Sequence, residues 1–141
     1  MVVIVGRRWT VANALLLVVI ALAIVGVEAS DRPEAAVEAS VRRYALAVAN
    51  SDLDGALAEI SPTQRDQWRD FISSQLGNVY AVTGVAVRST WLLGPPTEVT
   101  TDLDINRGYP DEFYQASPRV EVVQVNGRWY LAAPLLAPSE L

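Results

Sequence analysis

Cysteine, histidine and lysine are all missing from this chain of 141 residues, and each absence excludes a class of chemistry. Without cysteine there is neither a disulfide framework nor a thiolate nucleophile. Without histidine and lysine, a Ser-His-Asp triad, a Cys-His pair and a Schiff base are excluded, and zinc loses its usual nitrogen and sulfur ligands. Carboxylates, tyrosines, hydroxyls and arginines remain for acid–base chemistry. We expect no cofactor.

Positive charge is also scarce. The 11 basic residues are all arginine and are outnumbered by 16 acidic residues, which gives a formal net charge of −5. Such a surface repels a phosphate backbone, and no basic stripe with interleaved aromatic residues interrupts it. The composition therefore argues against a nucleic-acid partner and favours a protein partner with a basic surface.

The longest pattern that is present is an uncharged apolar stretch over residues 9–27, directly after Arg7 and Arg8. As a helix, roughly nineteen residues span about 28 Å, close to the thickness of the hydrocarbon core of a bilayer. The arginine pair predicts a cytoplasmic N-terminus. We expect residues 1–29 to be a cytoplasmic tip with a transmembrane signal-anchor helix in the cell membrane, and residues 30–141 to be one extracytoplasmic domain. The alternative is secretion after cleavage at Ala29, where a small-x-small site ends.

The first half of the expected domain has the periodicity of helices. Asp31 and Pro33 mark a helix start, and this first helix should end near Asn50. Apolar residues recur along it at helical spacing: Val37, Val41, Tyr44, Ala45 and Val48. It should pack one face against the rest of the domain.

Two shorter helices should follow. One begins at Ser51 or Asp52, and a capping box at residues 61–64 predicts the start of the next. Gly77 should end this third helix. Its apolar stripe contains four residues: Trp68, Phe71, Ile72 and Leu76.

From Asn78 onward the hydrophobic period changes from 3.6 to 2, which predicts strands. Residues 79–92 form one long strand with Gly84 as a bulge or bend. One face of it is expected to hold alternate residues: Thr83, Val85, Val87, Ser89 and Trp91. The next strand should bury a second alternating set: Val99, Thr101, Leu103 and Ile105.

The end of the chain predicts a hairpin. Residues 119–125 and 128–133 are strand-like, and Asn126-Gly127 between them is a strong hairpin turn signal. Residues 108–118 should be a loop and residues 134–141 an unpaired tail. Three helices followed by about four antiparallel strands predict an α+β domain in which the helices pack on one side of a curved sheet.

Two segments carry a resemblance to a known superfamily. Residues 41–62, VRRYALAVANSDLDGALAEISP, resemble the opening of the nuclear-transport-factor-2-like superfamily, whose cystatin-like cone fold includes ketosteroid isomerases and SnoaL-like cyclases. Residues 125–134, VNGRWYLAAP, resemble its last hairpin. The resemblance implies a bent antiparallel sheet wrapped round a long helix, with a pocket at the open end.

The resemblance also supplies one catalytic candidate. Tyr44 matches the first-helix tyrosine that ketosteroid isomerases use as an oxyanion hydrogen-bond donor. No residue matches the catalytic aspartate of those enzymes, because residues 61–76 are predicted to be a helix where the family has a strand. Packing against the sheet is the alternative role for Tyr44, so we expect no catalytic residue beyond this one candidate.

The other candidate site residues are aromatic. A ligand pocket lined by aromatic side chains is one interpretation, and core packing is the other; the pocket candidates are Tyr44, Trp68, Tyr80 and Trp91. Neighbours on a strand point to opposite faces, so an aromatic pair there should expose one ring. Trp129 and Tyr130 are such a pair on the last strand. Phe113 and Tyr114 belong to an aromatic and acidic loop that is either a recognition loop or a segment in which Phe113 plugs the cone. The interface candidates are therefore Trp129, Tyr130, Phe113 and Tyr114.

A calcium loop is also considered and set aside. Asp102 and Asp104 have the spacing of the first two ligands, but Gly108 falls one place late and Glu112 one place early. We expect no metal site, with these two aspartates as the only candidates.

The sequence thus predicts a non-catalytic, membrane-anchored binding or assembly module, a scaffold or accessory subunit of a membrane complex. Its expected partners are the membrane and a protein in or at the membrane, a second copy of the chain included. The alternative is a small-molecule-binding protein or isomerase-like enzyme that uses the cone pocket with Tyr44 as donor.

Overall fold

A computed structural model of the chain describes residues 32–107 and 113–136. The elements all lie within one structural unit, Pro33–Leu141. In chain order they are α1 (Pro33–Ala49), α2 (Leu53–Ala58), α3 (Arg65–Gln75), β1 (Val79–Ser89), β2 (Pro96–Asn106), β3 (Phe113–Ala116), β4 (Arg119–Val125) and β5 (Arg128–Leu131). The predicted α+β class, with three helices and a curled antiparallel sheet, is confirmed.

Strand β2 organises the sheet, whose order is β1-β2-β4-β5 with β3 also paired to β2. Along one side β2 pairs with β1 over nearly its whole length. On its other side β4 pairs with residues 98–100 of β2, and β3 pairs with residues 103–106. Within the described part of the chain the sheet therefore has five strands, one more than expected. The extra strand, β3, lies in the predicted loop because Tyr114 and Ala116 pack against the core there.

The faces of β1 change at a bulge. The register with β2 shifts between Val82 and Gly84, which confirms the bulge expected at Gly84. Before the shift the core-facing residues are Tyr80 and Val82, whereas after it they are Val85 and Val87. The predicted face is thus confirmed for Val85 and Val87, whereas Thr83 is the extra residue of the bulge and Trp91 lies beyond the end of the strand.

The core lies between α1 and the sheet. The predicted stripe of α1 is fully buried against the inward residues of β2, so both of these predictions are confirmed. Burial of each such aliphatic side chain stabilises the fold by about 1.5–3 kcal/mol. The inward residues of β2 are Val99, Thr101, Leu103 and Ile105.

The helix and hairpin boundaries follow local signals. Asp52 is the N-cap of α2, and its side chain accepts a hydrogen bond from the Gly55 N–H. Gly77 follows α3 with φ +87°, the left-handed conformation that ends a helix. Asn126 and Gly127 both have positive φ, as the turn between β4 and β5 requires.

Two boundary predictions are wrong. Helix α3 begins at Arg65, three residues after Pro62, because residues 62–64 form a turn and Gln64 is the N-cap. Over its described residues, 134–136, the tail is not a free end, since Leu135 and Leu136 are buried in the core; residues 137–141 lie outside the described residues.

The expected transmembrane helix is not found. Among residues 32–107 and 113–136, no helix combines the length and the apolar character that a membrane crossing needs. The stretch on which this expectation rested, residues 9–27, lies outside the described residues, as does the cleavage site at Ala29.

Candidate binding surface

Tyr44 lies in the middle of the core. Its side chain is 1% exposed and packs on α1 among the aliphatic residues that face the sheet. Burial raises the pKa of Tyr44 above its ordinary value, and neighbouring Tyr80 adds to the shift. The phenol is therefore neutral and able to donate a hydrogen bond, but it is closed off from solvent.

Tyr80 and Trp68 also pack against the core. Tyr80 donates from its hydroxyl to Gln75 Oε1 at 3.1 Å, and burial raises its pKa. Trp68 is half-buried and meets Phe71 edge to face, with ring centroids 6.1 Å apart. Its indole N–H is buried with no acceptor among the described residues. Trp91, the fourth pocket candidate, is 75% exposed in the turn after β1. The four pocket candidates thus do not line one cavity.

Trp129 and Tyr130 on β5 lie on opposite faces of the strand. Trp129 is buried in the core, whereas Tyr130 is half-buried on the other face. The guanidinium carbons of Arg65 and Arg128 lie 5.8 and 5.1 Å from the centroid of the Tyr130 ring. Tyr130 therefore lies close to two cations at the surface.

A buried carboxylate that sequence analysis missed lies close to this pair. Glu59, 4% exposed, accepts two hydrogen bonds from Arg43, at 2.8 Å from Nε and 3.0 Å from Nη2. Arg128 approaches the same carboxylate at 3.2 Å. The hydrogen bonds from Arg43 to Glu59 raise the pKa of Arg43. Arg43 and Arg128 are 16 and 69 positions from Glu59 in the sequence, so no local sequence pattern could reveal the network.

Asp102 and Asp104 serve in cross-strand hydrogen bonds. The Ser117 hydroxyl donates to Asp102 Oδ1 at 2.7 Å, and the Gln115 amide donates to Asp104 Oδ1 at 2.9 Å. No group of three or more carboxylates that could hold a metal ion occurs in the described part of the chain. These two aspartates thus connect β2 to β3 and to Ser117, which follows β3.

The outer face of the sheet, turned away from α1, carries a groove of about 560 Å³. Its apolar floor includes Val79, Ala81 and Phe113, and its polar side includes Asp104 and Gln115. Phe113 is 67% exposed. The antiparallel register brings these positions together, since Ala81 pairs with Asp104 and Asp104 pairs with Gln115.

Tyr114, next to Phe113, points the opposite way. It packs against the core and lies at the groove's end, where Arg107 stacks 5.1 Å from its ring centroid and donates to its hydroxyl at 3.1 Å. Of the four interface candidates, Phe113 therefore presents the most apolar surface to solvent. The groove itself could not be foreseen, because it depends on the pairing of β3.

A second apolar feature is the hairpin tip, which is residues 90–95 between β1 and β2. Trp91, Leu92 and Leu93 are its three large side chains, and all are exposed. Trp91 was predicted as a pocket residue because the strand pattern continued through it. The strand stops at Ser89, so the ring lies in the turn.

No protein-family model matches the chain, and no curated protein matches it. Among solved structures, the chain is similar to a SEC-C motif containing protein from Rhodopseudomonas palustris, determined in solution. The match has a TM-score of 0.43 and 20% sequence identity, and it covers 62% of this chain and 67% of the other.

The resemblance to the nuclear-transport-factor-2-like superfamily, including its cystatin-like and isomerase-like members, is not borne out, since no family model matches the chain. The segments that suggested the resemblance form an amphipathic helix and an Asn-Gly hairpin. Both follow from local signals, helical periodicity and a positive-φ turn, which unrelated domains share.

Proposed function

We propose that the domain is a non-catalytic binding or assembly module, a scaffold or accessory subunit, and that the groove on the outer sheet face is its recognition site. The observation that carries the proposal is the groove's apolar floor with Phe113 exposed on it. A large exposed aromatic on a sheet face is typical of an interface.

The chemistry of the described residues supports binding over catalysis. Glu59 is held by two arginines, and Tyr44 is enclosed in the core on the other side of the sheet from the groove. Neither is placed to meet a substrate in the groove. The chain as a whole carries a net charge of −5, and Asp104 lies at the groove, so the partner we propose is a protein segment with basic residues.

The groove also supports a second candidate, a small-molecule ligand. Its volume of about 560 Å³ is within the range of ligand pockets. A small ligand usually needs a concave site that encloses most of its surface, whereas this groove is open along the sheet face. Protein recognition is therefore our first proposal.

For location, we propose the extracytoplasmic side of the cell membrane. The support is the sequence alone: residues 9–27 carry no charge and follow Arg7-Arg8. Alkaline phosphatase fused to the C-terminus should be active in the host, and an inactive fusion would contradict this location. Mass spectrometry of the purified protein would show whether the N-terminus remains or begins at Ser30.

The binding proposal is tested by purifying the tagged full chain from its host in mild detergent. The wild-type chain should elute as a complex with one or more proteins, or with a second copy of itself. Phe113→Ser should lose that partner. Leu46→Ser is the matched control, because Leu46 is an apolar residue of similar exposure, 62%, on α1. A solitary wild-type chain, or a complex unaffected by Phe113→Ser, contradicts the proposal.

A further inference from the structure

The hairpin tip exposes three consecutive large apolar side chains. Trp91 is 75% exposed, and Leu92 and Leu93 are about fully exposed at 101% and 98%. Consecutive large apolar side chains without cover mark a surface that functions in contact with something apolar. The tip projects from the end of the long β1–β2 hairpin, beyond the point where β4 pairs with β2.

The sequence around the tip has no charge. From residue 89 to residue 97 there is no acidic or basic side chain, and Arg88 and Glu98 are the first charges on either side. The two threonines bond within the hairpin: Thr90 donates to Thr97 at 3.2 Å, and Thr97 donates to the Arg88 carbonyl at 3.4 Å. The tip thus offers little directional polar recognition.

The second half of the tip, residues 94–95, offers no free backbone donor. Pro95 and Pro96 have no N–H group, and the Gly94 N–H donates to the Trp91 carbonyl at 3.1 Å. Unsatisfied backbone donors are costly in lipid, so their removal lowers the cost of insertion. The Trp91 ring lies over Gly94, where an added Cβ would come within 2.7 Å of Trp91 Cδ1. Glycine therefore lets the ring pack on the turn.

We propose that the hairpin tip inserts into the interface of a lipid bilayer. Leu92 and Leu93 reach the acyl chains, and Trp91 lies at the level of the headgroups, where tryptophan is enriched in membrane proteins. A protein interface normally surrounds its apolar centre with polar groups that give specificity, and the tip lacks them. Apolar attraction is non-directional, which matches a bilayer. This contact is separate from the groove and would orient the domain on the membrane surface.

The test uses the absence of cysteine. The full chain with Leu92→Cys has a single thiol, which is labelled with the fluorophore NBD, and Leu46→Cys gives a matched label at another exposed leucine. Both chains are reconstituted into phosphatidylcholine vesicles that contain lipids with a nitroxide near the headgroup or deep in the acyl chain. Residues 1–31 are common to both chains, so any difference between the labels reports the position of the label.

The NBD emission at position 92 should shift to the blue and be quenched by the shallow nitroxide, and the label at position 46 should show neither effect. Because the contact is uncharged, raising the NaCl concentration tenfold should leave the quenching unchanged. Leu93→Ser in the labelled chain should reduce the lipid-contacting population about tenfold or more, the value of one buried leucine.

Equal quenching at positions 92 and 46 would overturn the proposal, as would no quenching at either. A blue shift at position 92 without nitroxide quenching would assign the tip to an apolar protein surface and would also overturn it. None of these outcomes bears on the groove, which is tested through Phe113.

Discussion

At the scale of single residues, this protein uses its reactive groups to hold the fold together. Tyr44 fills the core, and Glu59 joins α2 to α1 and β5 through Arg43 and Arg128. A buried carboxylate is stable there because guanidinium groups satisfy its oxygens. Substitution of Tyr44 or Glu59 should therefore lower the free energy of unfolding, with no direct effect on a binding activity.

Tyr44 should make the protein sensitive to alkaline pH. Below about pH 10 the phenol is protonated in the folded and in the unfolded chain. Above it the unfolded chain loses the proton, while burial raises the pKa of Tyr44 in the folded chain. The free energy of unfolding should thus fall by up to about 1.4 kcal/mol per pH unit above pH 10.

Urea unfolding at pH 8 and pH 11 measures this effect. Tyr44→Phe should reduce the alkaline loss of stability, whereas Tyr130→Phe, at a half-buried site on the surface, should leave it in place. An identical decline in wild type and Tyr44→Phe would contradict the assignment to Tyr44.

Glu59 should contribute more to the free energy of unfolding than an exposed paired carboxylate does. Glu59→Gln replaces a charged acceptor with an amide that cannot satisfy both arginines, and the expected loss is about 2 kcal/mol, reduced because the guanidinium groups are half-exposed. Glu38→Gln is the control, since Glu38 pairs with Arg42 at 2.8 Å on an exposed helix face. That pair should contribute less than about 0.5 kcal/mol. Thermal unfolding of the two variants compares them, and equal losses would contradict the role of burial.

At the scale of elements, the β4–β5 hairpin depends on the backbone conformation of its turn. Gly127 has φ +79°, and an added Cβ would meet nothing within 4 Å. Gly127→Ala should therefore destabilise the protein through the backbone alone, by about 1 kcal/mol. Gly127→Asn should cost less, because asparagine tolerates positive φ. Chemical denaturation of the pair measures the difference, and a neutral alanine variant would show that the turn does not need glycine.

The elements also show how far the sequence could predict the fold. Helix α1 and the β4–β5 hairpin were predictable because periodicity and a two-residue turn are local. Strand β3 was not, since its four residues become a strand only by pairing with β2. A bulge at Gly84 is predicted from the sequence, but the reversal of the faces of β1 at this point is clear only from the register.

The candidate site was less predictable than the fold. Phe113 is predicted as an interface residue because it lies in an aromatic and acidic loop, yet the groove needs β1, β2 and β3 side by side. Trp91 was assigned to a pocket because the sequence pattern does not show where β1 ends. Glu59 could not be found, because both of its partners are distant in sequence.

At the scale of the whole molecule, the structure separates the residues that fold the domain from those proposed to bind. The core lies between α1 and the sheet, whereas Phe113 and the hairpin tip lie on the surface. Phe113→Ser and the double variant Leu92→Ser/Leu93→Ser should each change the free energy of unfolding by no more than about 0.5 kcal/mol. Denaturant titrations check this, and a large loss in either variant would mean that the side chain supports the fold.

The most direct test of the binding proposal places a photoreactive benzoyl-phenylalanine at position 113 of the full chain in the living host. Irradiation should yield a discrete adduct with a protein that presents basic residues, or with a second copy of the chain. The same amino acid at position 46 should yield none. No adduct at position 113, or the same adducts at both positions, would contradict the account.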